Sequence, residues 1–213
     1  MTSDISQWIV RIPVLLFSIT IHEYAHGRVA YALGDPTAKN MGRLTLNPIY
    51  HIDPLGAIAL FLFNFGWAKP VPVNPLYFKN IRKGTILMAL AGPMSNLLAA
   101  IVTGLLIRYF LLPIRIYELV LVYMLFMNIG LCLFNLLPIP PLDGSHILEN
   151  SLSPDMAQAY HKIGRYGPGI IFGIVLLDNF AHTGILNFLL LRPMFILASI
   201  LAGPNIGYLL HGM

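Results

Sequence analysis

The first residues that could do chemistry are His22-Glu23-Tyr24-Ala25-His26. On an α-helix, residues four positions apart lie on the same face, so both imidazoles can bind one Zn²⁺. A glutamate beside the first histidine can act as a general base toward the water that such a metal activates. The spacing therefore predicts a hydrolytic zinc site with His22 and His26 as ligands and Glu23 as the base.

A catalytic zinc usually has three protein ligands, so a third side chain must come from elsewhere. Asp143 is favoured because it follows Pro138-Ile139-Pro140-Pro141, a run that ends an apolar helix. Non-helical backbone at membrane depth is tolerated only where it is buried or lines a wet cavity, which is where a ligand would lie. The other candidates are Asp35, His51, Asp53, His146, Glu149, His161, Asp178 and His182.

The composition places these residues in a membrane protein. Of the 213 residues, 57% are hydrophobic and only 10% are charged, against about 25% charged in soluble domains. A charged group at the centre of a membrane helix costs about 2.5–3.5 kcal/mol, so ionisable residues there are functional by default. The net charge of +4 is read as a membrane-topology signal, and we expect no nucleic-acid partner.

The apolar runs predict the elements that position the site. A helix that crosses the bilayer needs about 20 apolar residues. The run Leu55–Phe65 is too short and predicts a re-entrant or interfacial piece, and the proline-rich stretch 66–75 predicts extended chain, an edge strand or hairpin. The runs long enough for crossing helices, or nearly so, are 8–33, 84–112, 116–137, 166–180 and 185–201.

These runs predict an all-α polytopic membrane protein with about five to six transmembrane helices. A short re-entrant or β-hairpin element lies between the first and second long helices. We expect a single domain over residues 1–213, with a core at 8–150 and C-terminal helices at 166–202.

The number of crossings tests the third ligand. If the short run does not cross, the chain goes across, back and across again, and Asp143 ends on the side that holds His26. If the short run crosses, Asp143 ends on the far face, too distant for zinc bonds of about 2.0–2.2 Å. The short run is therefore re-entrant, or Asp143 is not a ligand.

The basic residues indicate which side of the membrane is cytoplasmic in the same topology. With a re-entrant short run, most of them share the side that holds the zinc, while Arg11, Arg108 and Arg115 lie on the other. The positive-inside rule makes the first side cytoplasmic. The basic residues of the first side are Lys39, Arg43, Lys69, Lys79, Arg82, Lys83, Lys162 and Arg165.

The order of motifs resembles the site-2 protease family of intramembrane metalloproteases. The motifs are the zinc-binding pattern at 22–27, Ala91-Gly92-Pro93-Met94-Ser95-Asn96 and the segment 135–144 with sequence NLLPIPPLDG. The resemblance covers residues 17–148 and extends to the stretches 42–48 and 66–75 of compact bacterial and archaeal members. Since we find room for neither a PDZ nor a nucleotide-binding regulatory domain, the chain resembles the compact form.

The resemblance implies one Zn²⁺ per chain, bound by His22, His26 and Asp143. It implies that Glu23 is the base and that Asn135 helps to hold the substrate strand or the developing oxyanion. It also implies that 67–75 is a membrane-embedded β-element, whose unpaired edge could bind the substrate as a further strand.

Three further residues are candidates for substrate contact or for support of the site. Asn96 lies beside the site in the family, although its amide could instead satisfy backbone groups freed by Pro93. His51 could stabilise an oxyanion, or serve only in loop hydrogen bonds. Asn74 belongs to the extended segment that would contact the substrate.

The sequence thus predicts a zinc metalloendopeptidase that cleaves peptide bonds within or near transmembrane segments of other membrane proteins. Its partners are the lipid bilayer and a transmembrane-protein substrate, and its oligomeric state is open. We expect an integral protein of the plasma membrane of a prokaryote, with the active site towards the cytoplasm. The alternative is a membrane metal transporter or metal sensor that uses the same His and Asp ligands.

Overall fold

Helices make up the fold, which a computed structural model describes for residues 5–63 and 66–211. In those ranges, three helices are long and apolar enough to cross a membrane: α1, α4 and α5. The predicted all-α polytopic membrane protein is confirmed in this coarse form. The helices are α1 (Ile5–Ala32), α2 (Thr37–Asn40), α3 (Pro54–Phe63), α4 (Ile81–Tyr109), α5 (Arg115–Asn135), α6 (Asp143–Ser151), α7 (Pro154–Gly164), α8 (Gly167–Ala181), α9 (Arg192–Ala202) and α10 (Asn205–His211).

Capping and proline explain where the second long helix begins and how it continues. The Asn80 side chain accepts a hydrogen bond from the Lys83 N–H at 3.0 Å, so α4 begins three residues before the predicted apolar run. Pro93 lies inside α4, and the helix continues through Gly92-Pro93. Membrane helices tolerate such prolines where neighbouring groups satisfy the freed backbone.

The first two long helices run antiparallel. Ser18 and His26 follow each other along α1, while their partners Asn96 and Met88 follow in the opposite order along α4. The Asn96 amide donates to the Ser18 carbonyl at 3.0 Å, and the His26 Nδ1 lies 2.7 Å from the Met88 carbonyl. The chain therefore returns through α4 across the thickness that α1 crosses.

The third long helix runs parallel to the first. The Arg11 Nε donates to the Tyr123 hydroxyl at 2.9 Å, and the Asn128 amide donates to the Ser18 hydroxyl at 2.9 Å. Higher residue numbers on α1 thus pair with higher residue numbers on α5. Because α1 and α5 run in one direction and α4 runs in the other, the C-terminal end of α5 reaches the level of His26.

An apolar cluster joins α4, α5, α9 and α10 away from the histidines. Gly104 lets α4 approach α9, because a Cβ there would lie 2.6 Å from the Leu201 Cβ. This cluster fixes the distance between the two helices that bring Asn96 and Asp143 to the site. Its buried members are Ala100, Ile107, Leu121, Val122, Leu125, Ile129, Ala198, Ala202, Ile206 and Leu209.

The connection between α1 and α4 contains little regular structure. The helix α3 has ten residues, about 15 Å of rise, or half of the bilayer core. Residues 64 and 65 of the predicted re-entrant run lie outside the described residues. Between 66 and 74 the described chain contains no helix and forms one isolated antiparallel bridge, Ile52 to Ala68. The predicted hairpin is not confirmed.

The C-terminal apolar runs form shorter helices than the three long ones. The first is α8, with 15 residues. The second begins as a π-helical turn, Asn187–Leu191, and continues into α9 at Arg192-Pro193. Proline has no N–H to donate to the preceding turn, which accounts for the irregular helix at this point.

Candidate metal centre and active site

Three side chains from two distant parts of the chain meet at one point. His22 and His26 lie one turn apart on α1, and their Nε2 atoms are 3.0 Å apart. The Asp143 Oδ2 lies 3.2 Å from the His22 Nε2 and 3.3 Å from the His26 Nε2. Both histidines are buried, and Asp143 is partly buried.

This triangle fits a zinc ion. Zinc bonds of about 2.0–2.2 Å in tetrahedral geometry place neighbouring ligand atoms about 3.3–3.6 Å apart. The Asp143 Oδ2 is buried and has no hydrogen-bond partner among the residues that the structure describes. Three acceptor atoms this close together need a positive centre among them, either a proton or a metal cation.

Backbone and amide groups set the orientation of both imidazoles. The His26 Nδ1 donates to the Met88 carbonyl, which can only accept, at 2.7 Å. The His22 Nδ1 lies 2.6 Å from the Asn96 Oδ1. A ligand histidine usually makes such a bond with its other nitrogen, because the bond fixes the tautomer and leaves Nε2 for the metal.

Gly92 on α4 leaves the space that the two imidazoles occupy. A Cβ at this position would lie 2.6 Å from the His22 Nε2 and would also collide with the His26 Nε2. The helix α4 therefore passes directly against the predicted ligands. This close approach gives a physical reason for the glycine in the Gly92-Pro93 motif.

The end of α5 and the start of α6 deliver Asp143. The helix α5 ends at Asn135, before the proline run, and α6 begins at Asp143. A Cβ on Gly144 would lie 2.5 Å from the Leu137 carbonyl oxygen, so a larger residue would push the chain away.

Comparisons with known proteins agree with a zinc-dependent peptidase. Residues 112–172 match the model of peptidase family M50. A Bacillus subtilis protein named "Putative zinc metalloprotease YwhC" is 42% identical over 166 residues, which cover 72% of this chain and 74% of that protein. The Rip2 protein of Mycolicibacterium smegmatis, with the same description, is 30% identical over 171 residues, 78% of this chain and 66% of its own length.

The chain belongs to peptidase family M50. This confirms the predicted site-2 protease resemblance and with it an intramembrane zinc metalloprotease. The metal-transporter alternative is not favoured. No solved structure gives a significant match to the chain.

In this M50 chain, the predicted base contacts the extended segment. The Glu23 Oε2 accepts a hydrogen bond from the Val71 N–H at 2.9 Å. Arg43 donates to the carbonyls of Lys69 and Pro70 at 2.9 and 3.2 Å, which fixes the chain on either side of its first proline. The carboxylate next to the metal ligands is thereby tied to the segment expected to contact substrate.

Asp35 anchors the far end of the same segment. This buried acid accepts from the Asn74 N–H at 2.7 Å and from the Thr37 N–H at 2.9 Å. The Asn74 side chain accepts from the Leu76 N–H at 3.1 Å and caps a short 3₁₀ turn. These contacts give Asn74 a structural role in the described chain, and its predicted contact with substrate stays a prediction.

Two other predicted residues make local contacts. The His51 Nε2 donates to the Thr45 carbonyl at 2.8 Å, as the loop interpretation expected. In the described part of the chain its buried Nδ1 has no hydrogen-bond partner. The Asn135 amide donates to the Leu131 carbonyl at 3.0 Å, within its own helix. Their roles in substrate binding stay predictions.

Sequence reasoning missed Asn128 and Ser18. Both are fully buried, and both contact Asn96, which contacts His22. A signal was present, since an asparagine in the middle of an apolar crossing helix is expensive and calls for a reason. The same rule that gave weight to His22 would have pointed to Asn128.

Proposed function

We propose that this M50 peptidase cleaves a peptide bond in or near a transmembrane helix of another protein. The observation that carries the proposal is the triangle of His22, His26 and Asp143 with Glu23 on the same helix turn. When bound there, zinc lowers the pKa of water and polarises a carbonyl. The ligands lie between long apolar helices, so a substrate must reach them at membrane depth.

Glu23 is the proton carrier of the proposed reaction. It accepts a proton from the attacking water and returns it to the leaving amine. The Val71 N–H occupies its Oε2, which fixes the carboxylate and leaves Oε1 to handle the proton. Asn135, at the end of α5, uses one amide N–H on Leu131 and has a second N–H with which to hold a substrate carbonyl.

The extended segment offers a substrate strand mainly acceptors. Of its residues 69–74, Pro70 and Pro72 have no N–H, and three N–H groups are taken by the protein, at Lys69, Val71 and Asn74. Within the described residues, the remaining backbone donor is the Val73 N–H. Successive residues of a strand direct their backbone groups to opposite edges. If the substrate pairs as a strand along the Val73 edge, it donates to the carbonyls of Val71 and Val73 and receives one bond from the Val73 N–H.

The crossing number is proposed as four, in place of the five to six expected from the sequence, with α3 re-entrant. The helix 187–202 is the fourth crossing; its 16 residues rise about 24 Å, which suits a locally thin bilayer. Just after it, the Asn205 amide donates to the Ile107 carbonyl at 2.9 Å, at the far end of α4, which supports a crossing in the same direction as α4. The helix α8 begins beside Pro140 on the zinc side, so a full crossing of α8 would leave 187–202 starting on the wrong side. The exposed Phe172, Leu177 and Phe180 on α8 suit contact with lipid.

The active site is proposed to face the cytoplasm of a prokaryotic plasma membrane. The relatives found are bacterial. Lys79, Arg82 and Lys83 lie at the start of α4, towards the zinc side, while Arg108 lies at its other end. The positive-inside rule then places the zinc side inside. In whole cells, a Lys79→Cys variant should resist an impermeant thiol reagent, and a Phe110→Cys variant should react.

The deciding experiment compares Glu23→Gln with wild type on a single-span reporter protein in liposomes. We expect cleavage to be lost while one zinc per chain is retained, measured by elemental analysis. Glu118→Gln, which removes the same charge near the start of α5, is the control and should cleave like wild type. Equal cleavage by Glu23→Gln and wild type would overturn the proposal.

A further inference from the structure

Three fully buried polar side chains lie in the middle of the three long helices. They are Ser18 on α1, Asn96 on α4 and Asn128 on α5. Polar groups at such depth are costly unless they are hydrogen-bonded. These three contact one another, and the set ends on His22.

The contacts form a continuous chain of hydrogen bonds. The Asn128 amide nitrogen donates to the Met124 carbonyl at 2.8 Å and to the Ser18 hydroxyl at 2.9 Å. The Asn96 amide nitrogen donates to the Asn128 Oδ1 at 2.8 Å and to the Ser18 carbonyl at 3.0 Å. The Asn96 Oδ1 then faces the His22 Nδ1 at 2.6 Å.

Backbone carbonyls fix the direction of every bond in this chain. A carbonyl can only accept, so the Asn128 atom at Met124 must be nitrogen, and its oxygen must face Asn96. The Asn96 atom between that oxygen and the Ser18 carbonyl must likewise be nitrogen. The Asn96 oxygen therefore faces His22, whose Nδ1 must carry the proton.

We propose that Asn128 and Ser18 are positioning residues for the zinc ligand His22, acting through Asn96. They occupy both amide hydrogens of Asn96 and so hold its oxygen towards the imidazole. His22 is then fixed in the tautomer that presents the Nε2 lone pair to the metal. The inference rests on the proposed function insofar as His22 is a ligand.

Simple adhesion between helices would not require this arrangement. An asparagine pair that only joins α4 to α5 could bond to each other and to any nearby carbonyl. Here both hydrogens of Asn96 point away from the site, and its oxygen bonds to the His22 imidazole. The chain thus has a defined end at the metal centre.

The test is a double-mutant cycle on zinc affinity, measured by chelator competition with the full-length chain. Asn96→Leu should weaken binding about 10–100-fold, as loss of an orienting partner does. Asn128→Leu should weaken it about 10-fold, at the low end of that range, because it acts one step further away. In the double variant, Asn128→Leu should add nothing to the loss caused by Asn96→Leu.

Thr103→Val is the matched control. Its buried hydroxyl bonds to the Ala99 carbonyl at 2.7 Å, two turns along α4 from Asn96. It removes a buried hydrogen bond from the same helix and should leave zinc affinity unchanged. Wild-type zinc affinity in Asn128→Leu, or additive losses in the double variant, would overturn the inference.

A second measurement covers the case in which a variant fails to fold. In the zinc-free wild-type chain, ¹⁵N chemical shifts of the histidine rings report which nitrogen carries the proton. We expect His22 to be protonated at Nδ1, and protonation at Nε2 would overturn the inference. Zinc affinity and the ¹⁵N shifts are both independent of proteolysis. Unchanged zinc affinity in His22→Ala would count against the proposed ligand set itself.

Discussion

A single methyl group at Gly92 should disable the metal centre. In a helix interior, replacing glycine by alanine normally stabilises by about 0.5–1 kcal/mol. At Gly92 the added Cβ would lie 2.6 Å from the His22 Nε2 and Cε1, whereas ordinary contacts begin at 3.4 Å. Either the imidazoles or α4 must therefore move by at least about 0.8 Å, because the His26 Nε2 lies closer to the added Cβ than the His22 atoms do.

This displacement is large compared with what the site tolerates. Metal–ligand distances in working sites stay within about 0.2 Å of their ideal values. A displacement of about 1 Å at a reacting centre costs about 100-fold in rate. We therefore expect kcat/KM of Gly92→Ala to fall about 100-fold, or about 2.7 kcal/mol of transition-state stabilisation, with weaker zinc binding.

The assay combines cleavage of the single-span reporter, zinc affinity by chelator competition and thermal unfolding in detergent. The control is Gly173→Ala on α8, where a Cβ would meet nothing within 4 Å. This control should keep wild-type cleavage and zinc affinity. If Gly92→Ala also keeps both, the close approach of α4 to the imidazoles is not a requirement of the site.

Three further substitutions test the base, the metal ligand and the helix packing one at a time. Val71→Pro removes the N–H that holds Glu23, so it should lower kcat about 10-fold or more while zinc is retained. Val71→Ala keeps that N–H and is the control. Equal kcat in the two variants would contradict this role of the Val71 N–H. Asp143→Asn removes the charged ligand, so zinc should be lost to a chelator that wild type resists. Gly104→Leu should force α4 from Leu201 and lower the free energy of unfolding by about 1–3 kcal/mol, with zinc stoichiometry unchanged; unaltered unfolding would contradict this.

The sequence was sufficient for the part of the site that local rules govern. The spacing of His22 and His26 follows from helix geometry, and Asp143 followed from a proline run that ends a membrane helix. Counting the crossings then required these parts to lie on one side of the membrane. The fold agrees, because α1 and α5 run parallel and α4 returns between them.

Features that depend on the register between helices could not be read from the sequence. Asn96 and Asn128 are 32 positions apart in the chain, and nothing local predicts that their amides meet beside Ser18. The segment 66–74 contains no helix, as its prolines predict, and the predicted hairpin is not confirmed; the same prolines remove donors that a ladder needs. The Val71 N–H contact with Glu23 depends on where that segment crosses α1.

The contacts of the two imidazoles imply that zinc binding is linked to the assembly of the helices. The His26 Nδ1 bonds to the Met88 carbonyl and the His22 Nδ1 to Asn96, and both partners belong to α4. The helix α1 alone carries two ligands but has nothing to fix their tautomers. Asp143 completes the triangle only when α5 and α6 are in place. A zinc ion that binds the assembled state and not the separated helices stabilises the assembly by mass action, so metal binding should report correct helix packing in the membrane.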